Sequence, residues 1–497
     1  MSDNTIKIGK KVFLFSAGII LALMVFSGLL TRILPAGSYD RLTTAERTVI
    51  VDGSYREIPR PEYPVWRWFT APFEVLIGMD NITPVVLMIF IMAVGGAVTI
   101  LDQAGIMKAL INFLASRFAK RKYLLLSLLI IFFMGLSCFV GMFEEMVPLV
   151  IFVIPLAISL GWDSLTGLGM SLLPMAFGFA TAVTNPYTVG IAQKIAGLPL
   201  FSGALLRLAL YVTLVCLLIL YVMRHAKRIE KNPECSICFG EDELLRKKMK
   251  AGEGALKESA AKGLPGGGTG ESTGITRSQW KALIWFVSCV AAAMTFVVST
   301  GRIPVLSDLA FPVLMLMYLT GGIGAGIFSG LKAAGIIKTL AKGMLNILPG
   351  AALIIMAYSV KYIMSRGMIM DTLLFRAAEL IRESTPMSAA FLVYATTLVI
   401  NFFIASASAK AFLMMPLLVP LADLAGITRQ TAVLGFAFGD GFTNVVYPTS
   451  PLLLIALSFT VVSYAKWMRW TWKLHIVILI VTSAFLAFAV KIGFGPF

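Results

Sequence analysis

The chain is short of the groups that water-soluble enzymes rely on. Histidine occurs only at His225 and His475 in 497 residues, which leaves acid–base or nucleophilic catalysis by histidine little to work with. Five scattered cysteines exclude a disulfide framework. Cys235 and Cys238 have metal-like spacing, but His225 is the only nearby third ligand, so no metal and no cofactor is expected. Charge is scarce as well, at 14% of residues against 58% hydrophobic ones and a mean hydropathy of +0.87. Such a composition belongs to an integral membrane protein. Its apolar runs are too long and continuous for the short alternating segments of a spanning barrel, so the expected class is all-α and polytopic. Acid is scarcer than base, 26 residues against 42, for a net charge of +16. The surplus cations flank apolar runs, as cytoplasmic loops require, so the partner they imply is a lipid bilayer and not nucleic acid.

Loop charge sets the threading. Lys7, Lys10 and Lys11 place the N-terminus inside, and the run from Val12 to Leu34 exits. Mixed charges from Pro35 to Pro64 suit an outer loop, followed by Trp66, Trp68 and Phe69 as an interfacial belt. Asn81 to Gln103 returns to a basic cluster at Arg117, Lys120, Arg121 and Lys122. Residues 123–160 are too long for one span and carry Gly-Met-Phe-Glu-Glu-Met-Val-Pro (141–148) in their middle. Two ordinary spans with an outer turn would export the basic segment from Arg224 to Lys281. A re-entrant hairpin keeps it inside and is the reading adopted, with its tip buried or lining a cavity. Residues 165–196 then cross as a helix broken at Thr184-Asn185-Pro186, and Gly203 to Met223 returns. A charged, then glycine-rich linker (224–280) joins two halves.

The second half repeats the first. Gly78, Asn81 and Pro84 match Gly343, Asn346 and Pro349 at an offset of 265 (343 less 78), as Pro155-Leu156-Ala157 matches Pro420-Leu421-Ala422. After small indels, Ala176-Phe177-Gly178 aligns with Ala437-Phe438-Gly439, and Thr184-Asn185 with Thr443-Asn444. Lys281 to Thr300 adds one span, so the second copy enters inverted. Its hairpin is 387–424, its broken helix 430–464, and the basic aromatic stretch from Lys466 to Lys473 lies inside. The division is 1–80, first span and outer loop; 81–223, first repeat; 224–280, linker; 281–348, further scaffold helices; 349–497, second repeat. Nine spans and two opposed hairpins result. Inverted repeats with discontinuous helices place a substrate site near the midplane, at the repeat interface, and imply alternating access.

Gly-Met-Phe-Glu-Glu-Met-Val-Pro, Thr-Asn-Pro-Tyr-Thr (184–188) and the stretch from Phe438 to Leu457 resemble the YfcC-type branch of the DcuC-like anaerobic carrier family, within the ion transporter superfamily. The resemblance spans nearly the whole chain. It implies a homodimer in the cytoplasmic membrane, with a scaffold domain and a transport domain that carries the hairpins and broken helices in an elevator movement. The family name mentions four-carbon dicarboxylates, while related members are associated with arginine, ornithine and other amino acids.

A helix broken in mid-membrane exposes N–H groups that favour carboxylates and carbonyls that favour cations. Thr184, Asn185, Thr188, Thr443, Asn444, Thr449 and Ser450 add neutral donors and acceptors at the breaks, and Ser406 and Ser408 do so at the second tip. Prolines 186 and 448 keep the breaks open. A carboxylate at mid-bilayer costs at least ~2.5 kcal/mol, so Glu144 and Glu145 are expected to be paired, protonated or facing a cavity. At the 265-residue offset Glu145 corresponds to Lys410 on the other hairpin, which makes the cavity amphoteric and suits a small amino acid better than a dicarboxylate. The plainer alternative is that Glu145 and Lys410 bond each other or the backbone and merely hold the hairpins in place. Asp440 and Glu144 are the candidates for coupling to Na+ or H+, with pure exchange left open. Asp102, Lys361 and Arg207 are read as snorkelling residues, and Asp163 and Asp423 as helix caps. The glycines from Gly321 to Gly326 are read as a close helix contact. Against an enzyme or a channel, the residues favour a secondary carrier of amino acids.

Overall fold

The structure is a computed structural model that describes residues 10–43, 48–51, 53–78, 82–247, 276–300 and 309–495. Most of Met1 to Lys11 and the glycine-rich part of the linker (248–275) lie outside the described residues. Among the described residues 11 helical stretches are long and apolar enough to cross a membrane. The difference from nine is instructive. Residues 106–140 and the two arms 386–403 and 407–424 are counted, while 429–458 is not, because its helices are too short (8 spans shared, plus 3).

The first helix, α1 (Lys10–Ile33), leads into a loop of short antiparallel strands. Gly37–Ser38 (β1) pairs with Arg56–Glu57 (β4), and Arg41–Thr43 (β2) with Thr48–Ile50 (β3). This loop is fastened down. Arg41 makes a salt bridge of 2.8 Å to Asp371, Tyr39 N–H donates to the same carboxylate, and Tyr55 stacks on Phe375 at 4.0 Å. In α2 (Trp66–Ile77), Trp66, Phe69 and Phe73 follow helical spacing on an exposed face, but Trp68 falls on the other face. It is buried against Gly28 of α1, where a Cβ would come within 2.2 Å of the indole. Trp68 is therefore a packing residue and not part of the belt.

Helix α3 (Ile82–Gln103) continues into α4 (Ile106–Phe118), α5 (Lys122–Gly135), α6 (Val150–Ser159), α7 (Ser164–Gly169), α8 (Leu172–Thr181), α9 (Ile191–Ala196) and α10 (Ala204–Lys231). After the linker come α11 (Arg277–Thr300), α12 (Ala310–Phe328), α13 (Ala333–Arg366) and α14 (Met370–Arg382). The last five are α15 (Pro386–Phe403), α16 (Ala407–Leu424), α17 (Arg429–Gly441), α18 (Pro451–Ser458) and α19 (Tyr464–Lys491). Pro349, expected to open a span, lies instead inside the 34 residues of α13. The boundary drawn at 348/349 thus falls within one continuous helix.

Small residues let the long helices approach. A Cβ on Gly343 of α13 would sit 2.7 Å from the carbonyl of Gly95 on α3, and one on Gly322 of α12 would sit 2.7 Å from Ala97. Gly324 does the same against Trp285 of α11, which accounts for the glycine cluster as helix packing. The described start of the linker is docked as well. Asp163 accepts from Thr166 N at 2.8 Å as the N-cap of α7, and also from Ser236 Oγ at 2.8 Å. Asp242 bonds Ser164, and Arg246 donates to Trp162 O at 2.8 Å. His225 has both ring nitrogens engaged, Nε2 by Asp163 at 3.0 Å and Nδ1 by the indole N–H of Trp470 at 3.1 Å. That arrangement leaves it no nitrogen for a metal shared with Cys235 and Cys238.

Candidate functional site

The two breaks and the two tips meet. Helix α5 loosens into a π-turn (Leu136–Val140), and Gly141 follows at φ +81°. A side chain there would lie 2.4 Å from Asn185 Oδ1, so the tip rests directly on the first break. Glu144 and Glu145 then open a 3-10 turn (Glu144–Leu149) that feeds α6. Both are half-buried. Glu145 accepts from Phe143 N at 2.8 Å. Glu144 lies within electrostatic range of Glu145, Asp440 and Lys410, and also of Tyr358 of α13.

The first break begins where α8 ends. Ala182 turns into the left-handed region at φ 41°, and Asn185 caps the following turn, accepting from Tyr187 N at 2.8 Å and Thr188 N at 3.3 Å. Thr184 donates to Phe139 O of the tip at 2.8 Å. Asn185 Nδ2 and Thr188 Oγ1 are buried without a hydrogen-bond partner among the described residues. At the second break the same Thr-Asn pair works in the opposite sense. Asn444 Nδ2 donates backward to Asp440 O at 2.7 Å and Gly441 O at 3.1 Å, closing off the carbonyl end of α17. Thr449 donates to Phe402 O at 2.6 Å, and Ser450 Oγ is buried without a partner among the described residues. The two broken helices cross so closely that a Cβ on Gly441 would sit 2.1 Å from Ala180 N.

Lys410 is fully buried and forms an ion pair with Asp440, also fully buried, while its ammonium donates to Asn401 Oδ1. Its partner is therefore Asp440, so Lys410 and Glu145 do not bond each other; Glu145 is instead held by the backbone N–H of Phe143, the other form of the holding role weighed from the sequence. Asn401 escapes sequence reasoning because it is one amide in an apolar run. Its Nδ2 reaches Thr443 Oγ1 at 2.6 Å and Asp440 O at 3.2 Å. Ser406 caps α16, accepting from Ala409 N at 3.5 Å, and contacts Ser408 Oγ at 3.4 Å.

A cavity of about 220 Å³ lies between α13 and the second tip, lined among others by Tyr358, Lys361, Tyr362, Ser406, Thr449 and Pro451. Glu144, Lys410, Asp440, Thr443 and Asn444 thus form one polar cluster with Asn401. Ser406 and Thr449 line the neighbouring cavity, and Thr184, Asn185 and Thr188 stay with the first tip. Lys361, exposed and five residues (366 less 361) short of the end of α13, lines this cavity. Two readings change. Arg207 does not snorkel: it is fully buried, and Nη2 donates to Val183 O at 3.1 Å and Phe201 O at 3.2 Å. Asp423 is no cap either. It pairs with Arg429 at 2.7 Å, and Thr428 caps α17.

The model of the C4-dicarboxylate anaerobic carrier family, DcuC, matches residues 14–491. A protein of Escherichia coli named "Putative basic amino acid antiporter YfcC" is 29% identical over 91% of this chain and 91% of its own. An uncharacterized protein of Haemophilus influenzae is 23% identical over 97% of this chain and 98% of its own. Two solved transporters are similar in structure. The YdaH transporter of Alcanivorax borkumensis gives a TM-score of 0.40 at 14% identity, covering 98% of this chain and 100% of its own. MtrF of Neisseria gonorrhoeae, described among antimetabolite efflux pumps, gives 0.42 at 17%, covering 95% and 94%. Buried polar clusters at interrupted helices are where carriers hold a substrate near the bilayer midplane. With the family match over nearly its whole length, the chain belongs to the C4-dicarboxylate anaerobic carrier family and is a multi-pass membrane transporter, not an enzyme.

Proposed function

We propose that the protein is a secondary carrier of basic amino acids such as arginine and ornithine, working by exchange in the inner membrane with its N-terminus in the cytoplasm. The observation that carries this reading is a count of charge. Glu144, with Glu145 beside it, and Asp440 stand near Lys410, so these four groups when ionised are formally −2 (three carboxylates less one ammonium), Arg207 lying apart at the first break and Lys361 lining the adjoining cavity. An amino acid with two cationic groups offsets that surplus and leaves its carboxylate for the N–H groups and hydroxyls at the breaks. A four-carbon dicarboxylate would bring two more negative charges to the same place, which is why the substrate class in the family's name is the second reading and not the first. The name of the Escherichia coli relative supports the same substrate class.

Movement follows the inverted repeat. Gly178 of α8 packs against Met134 of α5 and Ser137 of the π-turn after it, as Gly439 of α17 packs against Tyr394 and Thr397 of α15. We assign both tips and both breaks to a mobile transport part, with α1, α3, α12 and α13 as scaffold, in an elevator-type homodimer. The second repeat then begins within α13. Counterflow in proteoliposomes tests the function, with separate preloading of arginine, ornithine, a neutral amino acid or succinate. Labelled arginine is expected to exchange for arginine and ornithine, and Glu145→Gln to weaken its binding by about tenfold, the loss of one charge-assisted contact. Exchange of succinate alone refutes the substrate assignment.

A further inference from the structure

We infer that the protein supplies its own cation at each helix break, Arg207 at the first and Lys410 at the second, so that exchange proceeds without sodium. The inference rests on the carrier reading and concerns its energy coupling.

The carbonyl end of an interrupted helix carries roughly half a negative charge, and in discontinuous-helix carriers such ends, with unwound carbonyls, coordinate the coupling cation. At the first break that position is taken. Arg207 comes from the first turn of α10, is fully buried, and donates to the carbonyl of Val183, two residues beyond the end of α8. Its Nε and Nη1 find no hydrogen-bond partner, and no carboxylate pairs with it among the described residues. A guanidinium keeps its charge at any physiological pH, and burial without a carboxylate is costly. What compensates Arg207 is the negative end of α8 and the carbonyls it touches. The same charge seated there repels an entering monovalent cation.

The second break is filled differently but to the same effect. Asn401 Oδ1 and the Asp440 carboxylate converge as oxygen donors suited to a small hard cation, and the ammonium of Lys410 sits between them. The carbonyls of Asp440 and Gly441 are already engaged by the amides of Asn444 and Asn401. Sodium could enter only by displacing a fully buried lysine from a pair with no exposed surface. Sequence reasoning missed this because Arg207 bonds a carbonyl 24 residues away and no carboxylate marks it.

The test compares exchange with sodium and with choline at one pH and one ionic strength. The expected result is an arginine exchange rate that differs by less than about twofold; a saturable stimulation of tenfold or more by sodium, or uptake of labelled sodium with the amino acid, overturns the inference. Thermal unfolding in detergent is read in parallel and needs no transport. Replacing choline by sodium should leave the melting point of the unmodified protein in place and raise that of Lys410→Ala, whose Asp440 and Asn401 oxygens are then free to take the ion. A Lys410→Ala protein as indifferent to sodium as its parent overturns the assignment at the second break. Absence of any amino-acid exchange, by contrast, counts against the proposed function and leaves the melting comparison standing.

Discussion

Splitting the Lys410–Asp440 pair should give two variants whose stability responds to pH in opposite directions. Both side chains have 0% exposure. Removing one partner of such a pair leaves an uncompensated charge and typically costs ~3–5 kcal/mol. The orphan escapes by becoming neutral. For Lys410→Met the carboxyl of Asp440 must take up a proton, at ~1.36 kcal/mol per pH unit above a reference value of about 3.9, or ~4.2 kcal/mol at pH 7 and ~1.5 at pH 5. For Asp440→Asn the ammonium must lose one, at ~4.6 kcal/mol at pH 7 and ~1.9 at pH 9, counted from about 10.4. Measured against the unmodified protein at each pH, Lys410→Met should therefore regain about 2.7 kcal/mol on acidification from pH 7 to 5. Asp440→Asn should regain about as much on going from pH 7 to 9. Lys410→Met combined with Asp440→Leu leaves no charge and should lie nearer the parent than either single variant. Thermal unfolding of detergent-solubilised protein at pH 5, 7 and 9 reads all three. Single variants that shift in the same direction, or a double variant below both, refute the pairing argument.

Two other outcomes follow from particular contacts. Gly441→Ala drives a methyl group into the backbone of Ala180, which cannot step aside, so unfolding should come earlier by an amount equivalent to about 1–3 kcal/mol or more; Gly335→Ala, with open space around it in α13, should gain about 0.5–1 kcal/mol. Burial pushes the carboxyl of Asp242 up to about 6, with Asp163 adding to the effect and Ser164 opposing it. A folded value above the unfolded one of about 3.9 means docking is favoured while the group is protonated, and the contribution is lost as pH rises through about 6. Amide exchange in residues 236–246 should therefore speed up between pH 5 and 7 beyond its intrinsic rate, and Asp242→Asn should abolish that excess.

The polytopic helical class could be read from hydropathy alone, because each apolar run must bury its own backbone groups. The Thr-Asn pairs and the paired glutamates were visible because polar residues are conspicuous in such runs. Partners were not. Lys410 and Glu145 occupy equivalent positions at the 265-residue offset, yet the first turn of α16 packs on the end of α17 in its own half, so Lys410 meets Asp440. Trp68 looked interfacial because its neighbours are; only helical phase separates it from Trp66 and Phe69. Pro349 looked like a helix start, whereas α13 carries it internally, against α3. Asn185 and Asn444 read as duplicates although one accepts from N–H groups and the other donates to carbonyls. Composition cannot encode that difference, which is set by the direction in which each side chain folds back.

Helix α13 has a geometric consequence. At about 1.5 Å per residue its 34 residues extend about 51 Å, against roughly 30 Å of hydrocarbon. Lying wholly within the oily layer would demand a slant of about 54°, beyond the usual range of up to about 40°. One end at least must therefore rise into the headgroups or the water beyond, either the first turns with Lys338 and Lys342 or the last with Arg366. The rod that bears on the cavity through Tyr358 and Lys361 can thus be gripped from outside the bilayer, and a ligand or antibody fragment fastened to its protruding end would hold one wall of the passage still.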